Sequence, residues 1–394
     1  MRILHLINSD AKGGRELYVR DLILNLHKAG VENIVYCRKN TVISEAMEEQ
    51  GIKCFYFEKK GKQSFGVISR MKKELKALGI THIHSHSNND VWTGSLLKKA
   101  LRAGHINSVY MGAGKKRDII HRFIYGRVDK VITSSMFSKA ELARNYPLSY
   151  EKIALIRYGR EQSLFIPDSQ VRQEVRTKLG TGQEKIVFGM MSRIDRGKGV
   201  QDVIEAIPLL KSEILEKVVF WIMGEPTIDS ILPDGTIIYE KQGQELLDYI
   251  RNFIAEHKLE NCVRLIGFDR QYHRYLNGMD VFILSTFNEM YSLSVIDAMF
   301  MGMPVIGTDA GGTTEQIGRD NERGILVPPQ NPLKIAEAVT SFITNPQTIR
   351  QKGDAAKTWA KTEHDFDKAV REVVEQYRVS VQQIICLKNR SAGF

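Results

Sequence analysis

The sequence lacks the marks of several large protein classes. It holds only four cysteines in 394 residues. Cys37, Cys54, Cys262 and Cys386 lie far apart and form no CxxC pair. That spacing points away from a cysteine-held zinc site or a disulfide framework and toward a reducing compartment. No run approaches the roughly 18 apolar residues that cross a bilayer. The opening segment, residues 1–8, is too short an apolar run for a secretory leader and reads as a first strand. There is no short-period repeat, no low-complexity tract and no DxD-type acidic pair at a strand end. These absences predict a cytoplasmic protein, able to rest on the inner face of a membrane without crossing it. Together with the cysteine spacing they predict no metal ion and no cofactor.

What is present describes a two-domain α/β chain. The length suits two domains, each large enough to bury its own core, and 43% hydrophobic with 26% charged residues is ordinary for a globular protein. Short apolar runs alternate with amphipathic helical stretches, as in βαβ units with parallel sheets. The first series of strands is read at Ile3–Ile7, Ile34–Cys37, Lys53–Phe57, His82–His84, Ser108–Tyr110 and Lys130–Thr133, with helices such as Leu17–Lys28 and Phe65–Leu78 between them. Phe165-Ile166-Pro167-Asp168-Ser169 reads as a linker. The second series is Ile186–Met190, Val218–Met223, Val263–Ile266, Val281–Leu284, Pro304–Gly307 and Gly324–Val327. Residues 226–235 read as an exposed excursion, and helices at Pro346–Lys361 and Phe366–Tyr377 close the chain. The expected domains are 1–165 and 166–364, followed by a helix and tail over 365–394. Two such sheets imply a cleft, with ligands at the carboxyl ends of the strands.

Charge is unevenly spread. The net charge is +10 overall, yet residues 1–165 carry +14 and the remainder −4. A basic first half predicts an anionic partner: lipid head groups, a phosphorylated acceptor or nucleic acid. The stretches 70–76 and 115–124 mix cations with apolar residues and could lie on an anionic membrane surface.

Three runs carry candidate chemistry. In residues 8–16 the pair Gly13-Gly14 follows a strand and precedes a helix, where backbone can approach a phosphate or merely turn. In residues 191–199, Arg193 and Lys198 are placed to converge on a diphosphate. In residues 285–299, Glu289 precedes a helix and can bond sugar hydroxyls. Asp297, eight residues on, can reach a ribose from the same face, and the amides near Ser292 and Leu293 can hold phosphates between them.

The order of these runs resembles the large GT-B glycosyltransferase family that includes the GT4 retaining enzymes. The matching residues are Gly13 to Glu16, His82 to His86, Ser192-Arg193 through Lys198-Gly199, Gly224-Glu225-Pro226, and Glu289 through Gly302-Met303-Pro304-Val305. The family's E-x7-E pattern falls on Glu289 and Asp297. The resemblance implies two Rossmann-like domains facing across a cleft, with the last helix crossing back to the first. It implies retaining, metal-independent hexosyl transfer from a nucleotide-diphosphate sugar to a glycan or lipid-linked acceptor, as in cell-surface polysaccharide or lipopolysaccharide synthesis. Arg193 and Lys198 then bind the donor diphosphate, Glu289 the sugar, Asp297 the ribose, and Gly14 approaches the phosphate. Asp297 is one methylene shorter than the usual Glu, Tyr291-Ser292 replaces an aromatic-Gly pair, and Val109 to Gly114 lacks the histidine that many members carry. Asp10, His86 and Lys115 are the candidates on the acceptor side. The alternatives are a GT-B sugar-nucleotide epimerase or hydrolase and a nucleic-acid-binding protein. The second is disfavoured because aromatics do not interleave with the basic runs and no RRM, KH or zinc-finger spacing occurs.

Overall fold

The structure, a computed structural model, describes residues 1–391 except 12, 113, 233 and 235, so the parts of the glycine-loop run and of the 226–235 excursion at those positions lie outside the described residues. The chain forms two compact units, Met1–Gly159 with His364 onward, and Arg160–Glu363.

The first unit carries strands β1 (Arg2–Ile7), β2 (Glu32–Cys37), β3 (Lys53–Tyr56), β4 (His82–Ser85), β5 (Gly104–Ser108), β6 (Lys130–Thr133) and β7 (Ile153–Leu155). They pair in parallel in the order β3-β2-β1-β4-β5-β6-β7. Strand β5 begins earlier than the sequence reading placed it. Its polar string Gly-His-Ile-Asn-Ser lacks an apolar run, yet every residue in it is buried. The helix Phe366–Ser391, longer than read, packs on β5 and on the helix Gly14–Lys28. It closes the sheet of this unit, as the family resemblance implied.

The second unit carries β8 (Ile186–Met191), β9 (Val218–Met223), a hairpin of β10 (Ile228–Ile231) and β11 (Ile237–Tyr239), then β12 (Val263–Ile266), β13 (Val281–Leu284), β14 (Val305–Thr308) and β15 (Gly324–Val327). The main sheet runs β12-β9-β8-β13-β14-β15, all parallel. The hairpin begins within the segment read as an exposed excursion, and Ile228 and Leu232 are exposed as that reading expects. The stretch read as a linker is partly folded into this unit: Phe165 is buried and stacks on Phe300, and Asp168 caps the helix Ser169–Lys178.

Each sheet reverses its strand order once, between β1 and β4 in the first and between β8 and β13 in the second. Such switch points leave a crevice at the carboxyl ends of the strands, where open parallel sheets bind ligands.

Candidate active site

In the second unit the switch point is lined by the loops after β8 and β13. The loop after β8 ends in a single 3-10 turn, Arg196–Lys198, started by Asp195, whose carboxylate accepts the Gly197 N–H at 2.8 Å. Gly199 then adopts φ +69°, and a Cβ there would lie 2.2 Å from the Ser285 carbonyl oxygen, so only glycine lets the two loops close on each other. They are stitched together by Ser285 Oγ, which donates to the carbonyls of Lys198 (3.1 Å) and Gly199 (2.8 Å), and by the Phe287 N–H to the Gly197 carbonyl at 2.9 Å.

This stitching brings Lys198 and Glu289 together. Lys198 Nζ donates to Glu289 Oε2 at 2.9 Å, and both side chains remain partly open to solvent. The Glu289 backbone is fixed from behind, where Gly312 donates its N–H to the Glu289 carbonyl at 2.7 Å. Cβ atoms at Gly311 and Gly312 would meet the Glu289 and Met290 carbonyl oxygens at 2.1 and 1.9 Å. Arg193 lies on the same loop as Lys198, exposed, with its guanidinium donating to Thr227 Oγ1 at 3.2 Å. A cation paired with a carboxylate and a second, exposed guanidinium can together meet a diphosphate and a hydroxylated ring.

In the second unit two expectations need correction. The Ser292 N–H does not face outward, because it donates to Gln316 Oε1 at 2.9 Å while Gln316 Nε2 donates back to the Ser292 carbonyl at 2.8 Å. Ser292 instead caps the helix Leu293–Phe300 through its hydroxyl. The first-turn N–H groups that have no intrahelical partner are therefore those of Leu293 and Ser294. Tyr291 is buried beside them.

Asp297 is the second correction. Glu289 precedes the helix, so the two carboxylates do not share a helical face. Asp297 is 2% exposed. Its two oxygens accept from Arg160 Nε and Nη2 at 2.7 and 2.8 Å, and Tyr272 Oη donates to it at 3.0 Å. Burial and the adjacent Asp297 carboxylate push the Tyr272 phenol well above its usual range. The carboxylate read as a ribose contact is thus engaged inside the unit. Sequence reasoning missed Arg160 and Tyr272, whose separation from Asp297 along the chain gives no local signal.

In the first unit the corresponding switch point holds the loop after β1 and the start of the helix Asn88–Leu101 after β4. Gly13 caps the helix Gly14–Lys28 in an extended conformation. Glu16 is buried there, accepting from Ser9 Oγ at 2.7 Å and from Arg15 Nε at 2.9 Å. Asp90, also missed, accepts the Asn8 N–H at 3.1 Å, and burial pushes its carboxyl up to about 6. Asp10 is exposed and pairs with Lys60 at 2.8 Å, and Lys115 is exposed.

His86 does not reach the surface. It is buried, bonded to His5 at 3.1 Å and to the Tyr110 hydroxyl at 2.8 Å. Its role as an acceptor contact is corrected to that of a core residue. The stretch 70–76 is corrected likewise as an apolar surface, since Met71 and Leu75 point into the core. The stretch 115–124 does present one. Ile119 is 85% and Ile120 57% exposed, with Phe123 nearby under the Arg127 guanidinium. Among the described residues no helix is long and apolar enough to cross a membrane.

Comparison with known proteins follows the same two-part division. The profile described as Glycosyl transferases group 1 matches residues 171–359, and that described as Glycosyltransferase Family 4 matches residues 12–161. The D-inositol 3-phosphate glycosyltransferase of Pseudarthrobacter chlorophenolicus is 22% identical over 94% of this chain and 91% of its own length. Trehalose synthase of Pyrococcus horikoshii is 31% identical over 44% of this chain and 39% of its own. Among solved structures, HepE of Anabaena in complex with UDP aligns with a TM-score of 0.82 at 18% identity, covering 96% of this chain and 100% of that one. Sucrose-phosphate synthase from Thermosynechococcus elongatus aligns at 0.77 and 20% identity, covering 97% and 100%. At these identities the structural likeness speaks for the fold.

Proposed function

This chain belongs to the group 1 glycosyltransferases built on the GT-B plan, and we propose that it moves a sugar from a nucleoside diphosphate donor to a hydroxyl of an anionic acceptor. The observation that carries this reading is the Lys198–Glu289 pair at the switch point of the second sheet. HepE was solved with UDP and with UDP-glucose, which makes a uridine diphosphate sugar the first donor to test.

In the reaction the acceptor oxygen bonds to the anomeric carbon as the bond from that carbon to the donor phosphate breaks. The diphosphate gains negative charge, which Arg193, Lys198 and the N–H groups of Leu293 and Ser294 are placed to stabilise as it develops. Those cations take the part a divalent ion plays elsewhere, so turnover should survive EDTA. Glu289 orients Lys198 in the free enzyme and bonds the sugar hydroxyls when donor is bound. With these side chains on the phosphate side, the departing phosphate oxygen takes the acceptor's proton and the sugar keeps its anomeric configuration.

The basic first unit suits a phosphorylated or lipid-linked acceptor. The D-inositol 3-phosphate transferases support the phosphorylated polyol. The exposed Ile119, Ile120 and Phe123 beside Lys115, Lys116 and Arg117 support approach to an anionic membrane face, as cell-surface glycan synthesis needs. The deciding assay incubates the enzyme with UDP-glucose and either inositol phosphate or anionic vesicles bearing a lipid phosphate acceptor. An α-linked product formed in EDTA, and lost in Lys198→Ala, is expected. A β-linked product, or sugar isomerised or released as fast without acceptor as with it, overturns the reading.

A further inference from the structure

The buried face shared by β1 and β4 carries a feature that sugar transfer does not use. Side chains alternate along a strand, so His84 and His86 share one face of β4 and its extension. His5 pairs directly with His84 across the parallel ladder. The three rings are fully enclosed, with centroids 4.1 to 5.5 Å apart, and each offers a ring nitrogen within 4.8 Å of the others.

The hydrogen bonds around them settle which nitrogen of His5 carries its proton. Asn33 Nδ2 donates to the Val31 carbonyl at 2.8 Å, which leaves Asn33 Oδ1 as the acceptor for His5 Nε2 at 3.0 Å. Nε2 therefore holds the proton and Nδ1 is a bare lone pair. That lone pair faces His86 Nε2 at 3.1 Å. The spacing serves a hydrogen bond, and it is also close to the separation of about 3.3 Å between two imidazole nitrogens on one tetrahedral zinc ion. On its far side His86 meets the Tyr110 hydroxyl (2.8 Å), and His84 meets the hydroxyls of Tyr377 (2.7 Å) and Ser108 (2.8 Å). A hydroxyl can donate or accept, so each ring can change tautomer without stranding a polar atom. An outer acceptor for the second ring proton is what metal-bound histidines require.

We propose that His5, His84 and His86 form a structural site for one transition-metal ion of zinc-like preference. The ion would take the place of the proton on His86 Nε2, which moves to His86 Nδ1 and is donated to the Tyr110 hydroxyl, while His84 turns one nitrogen toward the pair and keeps its proton on the other. Neutral nitrogen ligands and complete burial favour zinc or cobalt(II) over calcium or magnesium. Through Tyr377 the same ion would fasten the closing helix to the sheet. This site is independent of the donor reading.

The test refolds the full chain with zinc, or with cobalt(II), so that the ion can enter before the core closes. Metal content is measured after gel filtration, together with the melting temperature. One ion per chain, a raised melting temperature and the strong visible bands of cobalt held by fewer than six ligands are expected. His5→Gln and His86→Gln should abolish all three, while the surface variant His27→Gln and the active-site variant Lys198→Ala should bind as wild type. Metal-free protein after gel filtration, or retention undiminished in His5→Gln, overturns the proposal. If His5→Gln does not fold, the cobalt spectrum of the wild type decides alone: weak octahedral bands or none refute the site.

Discussion

The two sheets share a topology of parallel strands with one reversal, yet their interiors are built from different material. Strands β8, β9 and β13 read Ile-Val-Phe-Gly-Met-Met, Val-Val-Phe-Trp-Ile-Met and Val-Phe-Ile-Leu, with almost every position buried. Strands β1, β4 and β5 place His5, His82, His84 and His105 in the same kind of position. The apolar sheet anchors loops that must hold still around a charged ligand. The histidine-bearing sheet depends on satisfied hydrogen bonds, since each buried imidazole left without a partner costs the full desolvation of that group. The second unit should therefore fail at single broken ion pairs, the first at a change of protonation.

The largest effect is expected for Arg160→Ala. It leaves the enclosed Asp297 carboxylate without its cation, at a cost of about 3–5 kcal/mol to the second unit. Calorimetry should show that unit's transition falling while the first holds. A paired replacement of Arg160 and Asp297 by leucine should restore much of the loss, and if the single variant melts as wild type the buried pair is not formed.

Next in size, Lys198→Ala and Glu289→Ala should each lower turnover about 10²–10³-fold, some 2.7–4 kcal/mol of transition-state stabilisation. Melting should be nearly unchanged, because both side chains lie at the solvent edge. Near-wild-type kcat in both would remove them from the chemistry.

Protonation separates the units more gently. Burial pushes His5 down to about 4 and His105 to about 3, from 6.5. Both stay neutral in the fold while the unfolded chain takes up protons below 6.5. Their stabilisation is thus complete above that pH and drains away as pH falls toward 4, by about 1.4 kcal/mol per pH unit for each histidine. Asp90, pushed up to about 6, offsets part of this. In the second unit burial raises Asp202 to about 6, so the fold gains the proton first and that unit gains stability as pH falls through 6. Melts at about pH 7.5 and about pH 5 should lower the first transition relative to the second. A parallel shift of both would erase the contrast. The smallest effect belongs to the surface: Ile119→Ser with Phe123→Ser should weaken binding to anionic vesicles by about 1 kcal/mol each, the sites being only partly buried there, leaving solution turnover intact.

The same contrast explains what could be read in advance. Val218–Met223 and Val281–Leu284 fall where they were read, because strands covered on both faces are continuous apolar runs. The edge strands Val263–Ile266 and Gly324–Val327 also fall where they were read, though partly open to solvent. Strand β5 was displaced, since its buried polar residues imitate a loop, and β7, three residues long, was missed. Lys198 and Glu289, read as site residues from loops that follow strands, are brought into contact by the fold. The partners that turn Asp297 inward were not legible, and neither was the gathering of His5 with His84 and His86, because strand pairing rather than spacing creates it.

The second unit begins after Gly159, and the first resumes at His364, whose ring bonds the Tyr158 carbonyl at 2.8 Å. One unit is therefore an insertion spliced into the other. A ribosome making this chain releases all of the inserted unit before the helix that covers His82 and His84 has left the exit tunnel. The earliest residues must wait for the last ones, and a transcript cut short near its end would leave the first-made half uncovered.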